Sequence, residues 1–197
     1  IVADGLGGSA LDGVDGFDTR VARRSHMGFG ATLPPHAVDC AEGEVHLRVS
    51  AGGYIGLVRL PDGSVDVAAA VAPELLRSAR EVARCAEDLL GGSVRDAQAL
   101  RAARWMGTPQ LTRRRGRIAG EGILVVGDSA GYEEPFTGEG MAWAIETGRA
   151  AGALAARSRP GRIEASERTP ESEWPALHAR LVGRSRTVAD ASGTTIP

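Results

Sequence analysis

The sequence predicts a mixed α/β fold with a separate antiparallel α+β part, and three stretches carry that prediction. The apolar run Ile123–Val126 has glycine on both sides, then passes through Gly127-Asp128-Ser129-Ala130-Gly131 towards a small-residue helix entered at about Gly138–Gly140 and running to Ala156. This is a strand, a glycine turn and a helix. Residues from about Val21 to Val71 read as antiparallel sheet, with apolar and polar positions alternating between turn signals. Pro73–Leu90 and Arg95–Arg104 follow with apolar residues at helical spacing.

Taken in order, Ile1–Gly8 reads as the end of a strand carrying Asp4-Gly5, followed by a loop with Ser9. Gly5, Gly7 and Ala10 match G-x-G-x-x-A, but that fingerprint needs a helix next. Leu11–Gly16 holds two glycines and two aspartates, which disfavour one. His26–Leu33 is a strand stopped by Pro34-Pro35. Glu44–Ser50 sets Val45, Leu47 and Val49 against Glu44, His46 and Arg48, the period of a half-buried strand with its valines and leucine inward. Gly52-Gly53 turns the chain into Tyr54–Leu60, and Pro61-Asp62-Gly63 turns it again into Val65–Val71. Pro73 opens a helix that Gly91-Gly92 ends, and Arg95–Arg104 forms a second. Arg113-Arg114-Arg115 and Arg117 form a charge run on a solvated strand leading to Ile123. Beyond Ala156 a polar stretch reads as linker, Trp174–Arg186 as an amphipathic helix, and Ala189–Pro197 as a disordered tail.

Composition narrows the functional classes. With a net charge of -2 and no lysine, the chain lacks the basic footprint of a nucleic-acid binder. No stretch reads as a membrane span. Cys40 and Cys85 form no metal-ligand spacing, and free thiols fit a reducing, cytoplasmic setting.

A strand leading through a glycine turn to a helix N-terminus is a site for something anionic. Gly127–Gly131 fits G-x-S-x-G, the nucleophile elbow of serine hydrolases, with Ser129 as nucleophile. That elbow needs a helix directly after the serine, and Pro135 stands in the way. His178 is the one downstream histidine, and no strand precedes it to carry the acid. An esterase is therefore the minor reading.

The whole run from Val125 to Ala144, VVGDSAGYEEPFTGEGMAWA, resembles the ribityl-binding segment of FAD-dependent oxidoreductases. The superfamily in question contains aromatic hydroxylases, flavin halogenases and geranylgeranyl reductases. The resemblance implies that Gly127 and Asp128 meet the ribityl chain, with Asp128 bonding a hydroxyl. It puts Pro135 near the isoalloxazine ring, and the backbone of Thr137, Gly138, Glu139, Gly140 and Met141 at the pyrimidine edge. A helix N-terminus favours the negative charge of reduced flavin, and Gly138 and Gly140 permit close approach. Asp4-Gly5 resembles the ADG-x-x-S segment of the same superfamily, near the FAD pyrophosphate and the path of NAD(P)H. The run Gly52–Val71 is similar to the substrate face of its reductase-like subgroup, which makes Tyr54 a candidate to line a substrate pocket; the apolar Trp105, after the second helix, is a second candidate whose alternative is core packing. The W-x-W-x-I-P signature of halogenases is missing around Tyr54, Gly56 and Val58, which disfavours halogenation.

On this resemblance, residues 1–20 and 113–157 are the remaining parts of a Rossmann-type FAD-binding domain. Residues 21–112 form an antiparallel substrate domain flanked by helices, and 158–197 a linker and C-terminal helix and tail. The chain begins in mid-strand without the first G-x-G-x-x-G unit, so roughly the first third or more of such an enzyme is expected to precede it. That missing FAD-binding half is then its partner. The implied reaction is NAD(P)H-driven reduction of a C=C bond in an apolar, isoprenoid- or polyketide-like substrate, with hydroxylation as the alternative. A non-catalytic fragment unable to hold FAD is the alternative of another class. No side chain stands out as an obligatory acid or base.

Overall fold

The computed structural model describes residues 1–76, 79–133, 138–157 and 169–191, with backbone alone at 79–80 and 184–191. In chain order the strands are β1 (Thr19–Val21), β2 (Met27–Leu33), β3 (Val45–Ser50), β4 (Gly53–Arg59) and β5 (Val65–Val71). Helices α1 (Ala79–Leu90) and α2 (Ala97–Ala102) come next. Then follow β6 (Met106–Gln110), β7 (Arg113–Arg115), β8 (Ala119–Gly120), β9 (Ile123–Leu124), β10 (Gly131–Tyr132), α3 (Gly140–Arg157) and α4 (Pro170–Ala191). The chain divides into two compact units: Arg23–Leu111, and Ile1–Ala22 together with the chain from Thr112 onward.

The unit Arg23–Leu111 is an antiparallel sheet in the order β3-β4-β5-β2-β6. Its meander β3-β4-β5 follows from the tight turns at Ala51-Gly52 and Pro61–Ser64, while β2 returns to pair with β5 from Met27↔Val71 to Leu33↔Val65. Alternate residues Phe29, Leu33, Ile55, Leu57, Val65, Val67 and Val71 bury one face against Ala86 and Leu90 of α1 and Leu100 of α2. Each large side chain removed from water there contributes about 1.5–3 kcal/mol. Asp96 caps α2 by accepting from the amides of Gln98 and Ala99.

Two expectations are corrected in this unit, and one further strand appears. Val45, Leu47 and Val49 lie on the sheet face away from the helices and are exposed, Val45 by 78%. Alternation set their common face correctly, but they sit on an edge strand whose inward positions are His46 and Arg48, opposite Leu57 and Ile55. Pro73 opens a separate 3-10 turn, Pro73–Leu75, and α1 starts at Ala79. Met106–Gln110 is a strand on the free side of β2, which its glycine and proline did not suggest.

The other unit is built from short pieces. β1, β7 and β10 form a small antiparallel sheet, and β8 pairs with β9. Val2 bridges Val125 in parallel. Helix α4 packs Trp174, fully buried, against Ala151 and Leu154 of α3 and against Leu124 and Val126, and its indole N–H donates to the Val125 carbonyl at 2.9 Å. Thr169 with Pro170 starts α4. Among the described residues, no helix is long and apolar enough to cross a membrane.

Candidate functional site

The site is assembled where the first strand segment meets the end of β9. Val2 donates to the Leu124 carbonyl at 2.8 Å and accepts from Val126 at 3.0 Å. That parallel register brings Asp4-Gly5 beside the 3-10 turn Gly127–Ser129. Two distant stretches then lock together. The Ser129 hydroxyl donates to Asp4 Oδ1 at 2.8 Å, and the Ala10 amide donates to Asp4 Oδ2, also at 2.8 Å. A side chain at Gly8 would collide with the Asp4 carboxylate, its Cβ 2.2 Å from Oδ1. The Ala10 amide holds the Asp4 carboxyl below its ordinary range, with the Ser129 hydroxyl and the charge of Arg115 adding to the effect. Asp4 therefore spends both oxygens on the protein itself, and its part in the site is to hold the Gly5–Ala10 loop against Ser129.

This also decides the role of Ser129. Its side chain is buried and its hydroxyl is a donor to a carboxylate, whereas a nucleophile elbow presents the serine at the surface. Ser129 is a clasp. The arginine run is used in a similar way. Arg113 donates to the Leu6 carbonyl, Arg114 pairs with Glu133, and Arg115 reaches the carbonyls of Ser129 and Phe17.

Asp128 differs from Asp4. Its carboxylate is half-buried and has no hydrogen-bond or ion-pair partner among the described residues, and burial alone pushes its pKa up. It lines a cleft of about 250 Å³ with Gly127, Tyr132, Trp143, Thr147 and His178. The Trp143 indole N–H in the same lining is buried without an acceptor among the described residues. Gly127 adopts a φ of +57°, a conformation that only glycine reaches without strain. Its amide donates to the Thr147 hydroxyl at 3.1 Å. Thr147 and Trp143 were not foreseen as site residues. The only signal was a threonine inside an otherwise small and apolar helix face.

The other expected residues are placed as follows. Gly138 has a φ of +75°, Glu139 accepts the Trp143 amide, and Gly140 starts α3 with Met141 exposed by 78%. Pro135 and Thr137 lie outside the described residues. Tyr54 stands half-buried on the sheet face away from the helices, opposite Val49. Trp105 does not share that face. Its ring packs edge-on against Phe29 at 5.5 Å and its N–H donates to the Leu100 carbonyl, so it belongs to the helix-covered core and not to a pocket on the Tyr54 side.

A half-buried carboxylate and a buried donor that line one cleft, each without a partner among the described residues, suit a ligand that offers hydroxyl groups. The wider architecture has solved counterparts. Flavin-dependent halogenase BrvH from Brevundimonas sp. BAL3 matches 92% of this chain at a TM-score of 0.64 and 16% identity. A flavoprotein/dehydrogenase from Cytophaga hutchinsonii matches 89% at 0.63 and 15%. PqsL from P. aeruginosa, solved in complex with 2-aminobenzoylacetate, matches 91% at 0.59 and 18%. The chain shares its fold with part of each of these solved proteins. The chain spans 35%, 44% and 50% of the BrvH, Cytophaga and PqsL chains respectively. No protein-family model and no curated protein matches the sequence. At these identities the flavoenzyme likeness concerns architecture, and the halogenases among the counterparts stand beside a sequence without the W-x-W-x-I-P signature.

Proposed function

We propose that this chain is part of a flavin-dependent enzyme and that the cleft at Asp128 receives the ribityl chain of FAD. The observation that carries the reading is the Asp128 carboxylate, half-buried and without a partner among the described residues, at the tip of the central strand segment. A ribityl hydroxyl donates a hydrogen bond, and a desolvated carboxylate is the strongest neutral-pH acceptor a side chain offers. Gly127 and Gly138 let the backbone approach, and the start of α3 at Gly140 offers amide donors to an electron-rich ring edge. Asp4-Gly5 lies beside this cleft as the clasp that fixes Ser129.

Bound FAD supplies the redox chemistry, while this chain orients it and sets its electrostatic surroundings. NAD(P)H is the proposed reductant. The reductase-like run around Tyr54 favours reduction of a C=C bond in an apolar substrate, with Tyr54 on the exposed sheet face as a contact. Hydroxylation is the second reading, favoured by the shared architecture with PqsL and the aromatic keto acid in its crystal. The FAD pyrophosphate would be held by a preceding G-x-G-x-x-G segment, which these residues do not include.

Titration of the purified chain with FAD tests the reading. Quenching of flavin fluorescence that is lost in Asp128→Ala supports it. Equal affinity in the two proteins, or no binding by either, refutes a flavin site at Asp128 in this chain.

A further inference from the structure

We propose that Thr147 is a positioning residue for the flavin site, fixing Gly127 and through it the direction of Asp128; this rests on the flavin reading of that cleft. Thr147 lies two turns into α3 and is fully buried. Its one hydroxyl both donates and accepts. It donates to the Trp143 carbonyl at 2.6 Å, the backbone bond a helical threonine commonly makes, and it accepts the Gly127 amide at 3.1 Å. The second bond ties the end of the strand segment to the helix.

The consequence for Asp128 comes from what that residue lacks. No hydrogen bond or ion pair within the described residues aims its carboxylate, so its orientation is inherited from the backbone before it. That backbone is fixed at Gly127 from two sides. The amide is bonded to Thr147, and the carbonyl accepts the Ala130 amide at 3.0 Å, closing the turn. Gly127 also sits tightly on α3, since a Cβ there would come within 3.3 Å of the Ala144 Cβ. Thr147, Gly127 and Asp128 line the same cleft. Removing the hydroxyl would leave a buried helix face opposite the Gly127 N–H with no acceptor, and the turn would be free to rotate the carboxylate away.

The test is FAD affinity, read by fluorescence quenching, in Thr147→Val, Thr147→Ser, Asp128→Ala and the Thr147→Val/Asp128→Ala double variant, each checked for folding by circular dichroism. Thr147→Val is expected to weaken binding about tenfold, as loss of one hydrogen bond to the site allows. Thr147→Ser, which keeps the hydroxyl, should stay within about twofold of the parent, and the double variant should bind no worse than Asp128→Ala alone. Unchanged affinity in Thr147→Val, or effects that add fully with Asp128→Ala, would overturn the proposal. If the valine variant does not fold, Thr147→Cys replaces it. If the parent chain binds no FAD, the flavin reading fails and Thr147 is judged by amide exchange at Gly127. That exchange should quicken about tenfold in Thr147→Val and recover in Thr147→Ser, and an unchanged rate refutes the role.

Discussion

Two aspartates, Asp4 and Asp128, lie on neighbouring segments and do opposite things to stability. Asp4 is ionised and satisfied, so its folded pKa lies below the unfolded value. Its contribution is present above the unfolded value, about 3.9, and is lost as pH falls through the lowered one. Ser129→Ala should therefore destabilise the chain by about 1 kcal/mol at pH 7, measured by urea unfolding, with the penalty shrinking below about pH 4. Asp128 is the reverse case: burial raises its pKa, so the stability it contributes is full below the unfolded value and lost as pH rises through the raised one. At pH 7 the ligand-free chain thus carries a carboxylate that folding disfavours. Asp128→Asn should raise the Tm of the ligand-free protein while weakening FAD binding about tenfold or more, and its advantage in Tm should vanish in acid. A fall in Tm at pH 7 would mean that a protein group does satisfy Asp128.

At the scale of elements, burial decides which apolar residues matter. Trp174 fills the space between α3, α4 and the Val125 strand and adds a hydrogen bond to a backbone carbonyl. Trp174→Ala should cost about 3–5 kcal/mol in chemical denaturation. On β3, by contrast, Val49→Thr should change stability by no more than about 0.5 kcal/mol, because Val49 is 57% exposed on an edge strand. The difference marks how far the sequence could be read. Glycine flanks and apolar runs gave away the strand at Ile123 and the helix after it, and alternation gave away β3 to β5. Periodicity is silent on which face of an edge strand is covered, so it leads to an inward reading for Val45, Leu47 and Val49 that burial reverses. Glycine and proline hid β6. The site was legible at Gly127-Asp128, where local chemistry is concentrated in a few residues. Its supports were not, because the Ser129–Asp4 bond joins residues 125 apart and the Gly127–Thr147 bond residues 20 apart.

For the whole molecule, the main fact is that one unit is continuous and the other is not. The apolar cluster of Arg23–Leu111 is formed within that unit, from Phe29 through Trp105. A protein consisting of residues 23–111 alone should fold and unfold in a single cooperative urea transition with its sheet signal intact in circular dichroism. A molten or aggregated product would show that its exposed β3 face needs cover.

The place where the chain leaves and re-enters is closed by hydrogen bonds on both sides. Ala22 donates to the Thr112 carbonyl at 3.0 Å, and just inside, Leu111 donates to the His26 carbonyl at 2.8 Å. In the discontinuous unit, β1 runs antiparallel to β7, from Thr19↔Arg115 to Val21↔Arg113. On the ribosome the segment Ile1–Ala22 emerges before the inserted unit, yet both its partners, β7 and the strand segment at Val125, are made only after all of Arg23–Leu111. The inserted unit can fold during that wait and bring its own two ends together, which removes most of the entropy of closing so long a loop. Assembly of the Asp128 cleft is then a late event in the life of the chain. On this order the wait lasts as long as the synthesis of a part of the protein that contributes no residue to the cleft's lining.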